Sequence, residues 1–160
     1  MKLIIQELIH FMLSIIVGFF VWQISDNSYA LLTALMGGFF IDFDHLLDYF
    51  LAFGIKFNLI YFLKGYQFLK TDKIYVIFHS WELSIVLLFI SFLVNSTIVP
   101  FFVSFSLSLF FHLVFDVLTN NMFVKSYCLL YRVQNNFELK TMVTNEHYQK
   151  HIKQKSEVIF

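Results

Sequence analysis

Apolar positions along this chain fall into long runs, and short polar turns cut those runs into lengths that suit a bilayer. The first run extends from Leu3 to about Ile24 and ends at the turn SDNS. A second starts near Tyr29, passes Gly37-Gly38 and continues to about Phe53, with Gly54 as its stop. The third covers about Ile74 to Val94 and ends at Asn95-Ser96. The fourth begins near Ile98, with Pro100 tolerable in a first helical turn, and ends by Thr119-Asn120-Asn121. A helix needs about 20 apolar residues to cross the hydrocarbon core. The pattern therefore predicts an all-α integral membrane bundle of about four transmembrane helices.

Two stretches break that pattern. KFNLIYFLKGYQFLKTDK, starting at Lys56, mixes four lysines with aromatics. Such a mixture suits an interfacial loop or short surface helix at the lipid headgroups. Beyond the short apolar piece YCLLYRV the chain turns polar and lysine-rich, as a helix outside the bilayer would. We expect a membrane-embedded bundle over residues 1–132 and a polar cytoplasmic tail over 133–160. The opening segment holds Glu7 and His10 within its apolar run and has no small-x-small cleavage site, so it reads as a retained helix rather than a secretory signal.

Composition agrees with lipid as the solvent. Charged residues are 14% of the chain, against about 25% in soluble domains, and mean hydropathy is +0.72. The 23 phenylalanines read as lipid-facing bulk. A net charge of zero gives no sign of a nucleic-acid partner, and the lone Cys128 cannot form an internal disulfide. The turns SDNS and NST carry no lysine or arginine, whereas the N-terminus, the middle loop and the tail do. The positive-inside rule then puts both termini and the long loop on the cytoplasmic side of the cell membrane.

Ionisable groups inside these runs are costly and mark function. GGFFIDFDHLLD carries Asp42, Asp44, His45 and Asp48, which fit within one half of a helix surface. The third run gives His79-x-x-Glu82, the fourth gives His112-x-x-x-Asp116, and the first gives His10 one turn after Glu7. Measured along its own helix, each cluster lies about 13–16 residues, or roughly 20–24 Å, from the lysine-free end. Four runs thus place polar groups at one depth. Unpaired carboxylates gathered there would repel one another and suffer desolvation, and few basic side chains are at hand. One divalent metal ion, or two or more, resolves the conflict. Mixed imidazole and carboxylate donors suit Zn, Mn or Fe better than Ca or Mg, and helical bundles build such sites from facing helices.

The first candidates for ligands are His10, Asp42, His45, His79, His112 and Asp116. Asp44, Asp48 and Glu82 follow as bridging ligand, orienting group or general base. Arg132 is placed to approach a substrate phosphate or to snorkel to the interface. His147 and His151, i and i+4 in a polar tail, read as a solvated face. Ser14 and Ser80 have no base arranged about them, and Glu7 reads as a wet interfacial side chain.

The set His10, GGFFIDFDH, HSWEL and FHLVFD, over roughly residues 8–132, resembles the YdjM-like membrane-bound metal-dependent hydrolases. That resemblance implies a distant relation to the helical zinc-dependent phospholipase C and single-strand nuclease superfamily. On it, His112 and Asp116 match the His-x-x-x-Asp pair, His79 with Glu82 the second histidine motif, and Asp42 to His45 the acidic one. This chain departs from the pattern at Ile41, where relatives carry Pro, and at HSWEL, which replaces Arg-Gly-x-Thr-His surroundings. The expected activity is hydrolysis of a phosphoester or phospholipid-type substrate at the cytoplasmic-side interface. A bound zinc ion, or more than one, would acidify water and polarise the phosphoryl oxygen. Two alternatives stand beside it: a transporter or conductor of protons or ions, and a haem-binding bundle. A conductor should carry polar groups into the outer half of the bilayer. Haem prefers an apolar pocket, against the carboxylates beside these histidines.

Overall fold

The computed structural model describes residues 3–158 and is helical, with no β-strand among the described residues. Two of its helices are long and apolar enough to cross a membrane, Ile4–Ser25 and Val99–Thr119. A third crossing is reached only if Tyr29–Gly38 and Phe40–Phe53 count together as one broken span. The chain forms two compact units, one from the residues up to Asp42 with Phe78–Thr119, the other from Phe43–Ile77 with the residues from Asn120 on. These units interleave along the chain, whereas the sequence-based division at residue 132 follows polarity.

The first unit holds α1 (Leu3–Ser25), α2 (Tyr29–Gly38), α6 (Trp81–Ser91) and α7 (Val99–Thr119). Small residues let these helices approach closely, as is usual in membrane bundles. A Cβ on Gly37 would collide with the backbone carbonyl of Phe105 on α7, and one on Gly38 with the hydroxyls of Ser108 and Ser14. Ser84 and Ser106 join α6 to α7, each hydroxyl donating to the other's carbonyl at 3.0 and 2.7 Å. Val17, Val21, Ala30 and Ala34 form the apolar core of this unit, with Trp22, Val103 and Leu107 against it.

Two helices differ from their expected lengths, for identifiable reasons. The second run does not continue unbroken through the acidic cluster. It stops at Phe39, and Phe40–Asp44 form a 3-10 turn before α3 (His45–Phe53). Helices leave carbonyls unsatisfied at their C-termini, and here His112 takes the Gly38 carbonyl. The third run is not helical from Ile74. Its helix starts after Ser80, whose extended backbone and side chain, accepting from Leu83 N–H at 3.3 Å, cap α6. Residues 74–76 are held instead by the second unit.

That unit comprises α3, α4 (Leu59–Leu63), α5 (Tyr66–Thr71), a 3-10 turn at Val124–Tyr127, α8 (Leu129–Gln134), α9 (Leu139–Met142) and α10 (Asn145–Glu157). Its core is Ile74, Val76, Leu139, Met142 and Val143. Ile74 N–H donates to Phe137, and Asp48 accepts from the N–H groups of Tyr75 and Val76 at 2.7 and 3.2 Å. Arg132, 1% exposed, donates to the carbonyls of the same two residues. With donors and acceptors both committed, residues 74–76 cannot enter a helix ladder. The polar tail forms α10, as its pattern predicts. It is fastened through His151 (2.8 Å) and Lys155 to Asp72, which follows α5.

Candidate metal centre

Histidine 112 is the best-defined part of the cluster. It lies on α7, 1% exposed, and its Nδ1–H donates to the Gly38 carbonyl at 2.8 Å. A carbonyl can only accept, so the proton is on Nδ1 and Nε2 presents a lone pair in the neutral ring. That Nε2 has no hydrogen-bond partner among the described residues. It faces carboxylate oxygens of Asp116 at 3.5 Å and Asp42 at 3.7 Å. A lone pair aimed at two anionic oxygens is repulsive; a proton on Nε2 or a metal cation between the three groups relieves it.

The neighbours extend this arrangement into a row. His10, on α1, stacks on His112 with ring centroids 3.7 Å apart and brings Nε2 to 3.3 Å from Asp116 Oδ1. Ser14 donates to the His10 carbonyl, and Phe115 meets the ring edge-on. On the other side His79 Nε2 lies 3.1 Å from Asp42 Oδ1, and its ring meets His112 edge-on at 5.1 Å. The row runs His10, Asp116, His112, Asp42, His79. For ligand bonds of about 2.0–2.1 Å, the edge of a coordination tetrahedron is roughly 3.3–3.4 Å. The four N···O separations, from 3.1 to 3.7 Å, bracket that edge.

Two overlapping groups of donors follow, His10–His112–Asp116 and Asp42–His79–His112. Their donor atoms lie within 4.8 Å of one another in each group. His10, His79 and His112 are buried, as is Asp116. Imidazole nitrogens and single carboxylate oxygens make a donor set that a divalent transition cation can take.

The remaining sequence-based candidates divide between the units. Glu82 belongs to the first unit, in the first turn of α6. Asp44, His45, Asp48 and Arg132 belong to the second. Asp48 there uses both oxygens on the backbone of Tyr75 and Val76, and Arg132 uses Nη1 on their carbonyls. The ring of His45 meets Phe68 edge-on. Gly38 was missed as a site residue by sequence reasoning. Its only signal is the glycine pair ahead of the acidic stretch. In the tail, burial together with the charges of His151 and Lys150 pushes the His147 pKa below the usual histidine range. No protein-family model, curated protein or solved structure matches this chain.

Proposed function

We propose that this chain is a membrane-bound metal-dependent hydrolase acting on phosphoester or phospholipid-type substrates, with zinc as its cation. The observation that carries the reading is the Nε2 of His112 facing two carboxylates within a row of five donors. Five donor residues exceed what one tetrahedral ion with an open position takes, so a pair of ions sharing this row suits it better. His10 and Asp116 would hold one ion and Asp42 and His79 the other, with the single Nε2 lone pair of His112 available to either. The chemistry a bound cation supplies is Lewis acidity toward water and a phosphoryl oxygen. Around it, the Gly38 carbonyl fixes the tautomer of His112, and Ser14 ties the His10 turn in place. Glu82 is the carboxylate of the same unit proposed to accept a proton.

The same reading keeps four crossings, with both termini and the lysine-rich 56–73 stretch on the cytoplasmic side. Two observations favour it over the alternatives. The hydroxyls of Ser14, Thr33 and Ser104 are directed to carbonyls of the preceding turn, at 2.7, 3.2 and 2.7 Å, as packing residues are and conduction paths are not. The stacked rings of His10 and His112 leave no gap for a porphyrin between them.

Elemental analysis of detergent-purified protein, prepared without chelators, tests the reading. Wild type should carry stoichiometric transition metal and cleave a phosphodiester bond. Asp42→Asn and His112→Ala should each lose both, while His147→Ala keeps its metal. A metal-free wild type, or an Asp42→Asn protein that binds metal as the parent does, would overturn it.

A further inference from the structure

The loop that joins α3 to α5 is held from inside and bare outside. Gly54 turns the chain with φ of +72°, a conformation that favours glycine. Tyr49, buried in α3, then grips the loop: its hydroxyl donates to the Lys56 carbonyl at 3.1 Å and accepts from Asn58 N–H at 2.7 Å. Asn58 caps α4 by accepting from Ile60 and Tyr61 N–H. Phe57 and Phe62 pack on Tyr49 and on each other, Phe57 remaining exposed on its other side. Nothing about this backbone is slack, yet Ile55 is 95% exposed, Ile60 61% and Leu59 57%, and α4 buries none of its residues.

Charge tells what should cover this surface. From residue 49 to 71 there is no Asp or Glu, while Lys56, Lys64 and Lys70 are present. Lys56 and Lys64 flank the exposed apolar side chains, and Lys64 lies over the ring of Tyr66, 5.6 Å from its centroid. A second copy of the same surface would set these lysines against their own images across a two-fold axis. An anionic leaflet instead offers phosphates to the lysines and acyl chains to Ile55, Leu59 and Ile60. We propose that the 55–64 loop is a pre-formed anchor for a bilayer surface rich in anionic headgroups. The proposal is independent of the metal centre.

A polarity-sensitive fluorophore on Ile60→Cys, in a Cys128→Ser background, tests it in proteoliposomes of the full chain. Phosphatidylcholine vesicles with and without phosphatidylglycerol are compared. With phosphatidylglycerol, emission should shift to the blue, and lipids brominated in the acyl chain should quench it several-fold more than aqueous iodide. Added salt, and separately Lys56→Glu with Lys64→Glu, should return the emission toward that in water. Tyr49→Phe keeps every outward side chain but loses the tether, and should raise access to iodide. Water-like emission in anionic vesicles would overturn the proposal. So would shielding that is indifferent to phosphatidylglycerol, salt and charge reversal. Shielding from iodide without quenching by brominated lipid would assign the surface to a second copy of the chain, and the proposal would again fail.

Discussion

Arg132 carries a fixed positive charge into a site with almost no water, where hydrogen-bond partners are needed to make it tolerable. Its Nη1 donates to the Tyr75 and Val76 carbonyls, while Asp48 holds the N–H groups of the same residues. Removing one side of this grip leaves the other buried without compensation. Arg132→Ala should therefore cost about 3–5 kcal/mol, read as a lowered midpoint in chemical denaturation. Arg132→Lys keeps the charge on a shorter, more strongly hydrated head and should restore it only in part. The metal cluster behaves in the opposite way. In metal-free protein Asp42→Asn removes one of two carboxylates facing His112 Nε2, so it should leave stability unchanged or slightly raised. A large loss in that apo comparison would mean that the carboxylates are compensated by something other than a cation.

At the scale of elements, helix contacts set how much side chain each position tolerates. Gly37→Ala sets a methyl against the Phe105 backbone, which no side-chain change can relieve, and should cost about 1–3 kcal/mol. Gly38→Ala meets the hydroxyls of Ser108 and Ser14 first, with Ser108 Cβ next at 3.2 Å, so adding Ser108→Ala and Ser14→Ala should recover part of its loss. Equal penalties with and without the serine changes would refute this account of the α1–α2–α7 contact. The spacing of His112 and Asp116, and their depth relative to His10, were legible in the sequence because long helices impose regular geometry. So were the boundaries of α1 and α7. The start of α6 was not. Ile74 to Ser80 reads as the opening of an apolar helix, and what prevents it is Asp48 and Arg132, far away in sequence. Ser80 with Glu82 in the following turn is the local signal for that start. It is outweighed by hydrophobicity unless the competing partners are known.

For the molecule as a whole, pH acts most plainly on the tail. Burial works to raise the Asp72 pKa, but the bonds from His151 and Lys155 outweigh it and hold the carboxyl below its usual range. The stability this contributes is present above its unfolded pKa and fades as pH falls through the lower folded value. His147 has its pKa depressed too, first by burial. A histidine kept neutral in the fold is protonated more readily when unfolded, so stability falls as pH drops below about 6.5. Both groups therefore loosen α10 in acid. Hydrogen exchange in 145–157, corrected for intrinsic rates, should quicken below about pH 6.5 and again below about pH 4. His147→Ala should remove the first step. Asp72→Asn should weaken docking at neutral pH by no more than about 1 kcal/mol, since solvent screens a half-exposed carboxylate. Exchange that is flat between pH 7 and 4 would rule out this attachment.

The shortness of α6 reaches beyond the protein. Eleven residues rise only about 16 Å, roughly half the thickness of bilayer hydrocarbon. Beside it stands α7 with 21 residues, and Ile85, Val86 and Phe89 of α6 are exposed on its outer face. If α6 is the fourth crossing proposed above, lipids against that face would meet a hydrophobic wall too low for their chains, and thinning the bilayer there would cost a fraction of a kcal/mol per Å. Membrane thickness thus becomes a variable to which the fold responds. Because α1 and α7 match a full-thickness bilayer while α6 does not, thermal stability in phosphatidylcholine bilayers should peak at acyl chains somewhat shorter than those that fit α7 alone. A peak at the length that fits α7 would show that the exposed face of α6 does not meet lipid.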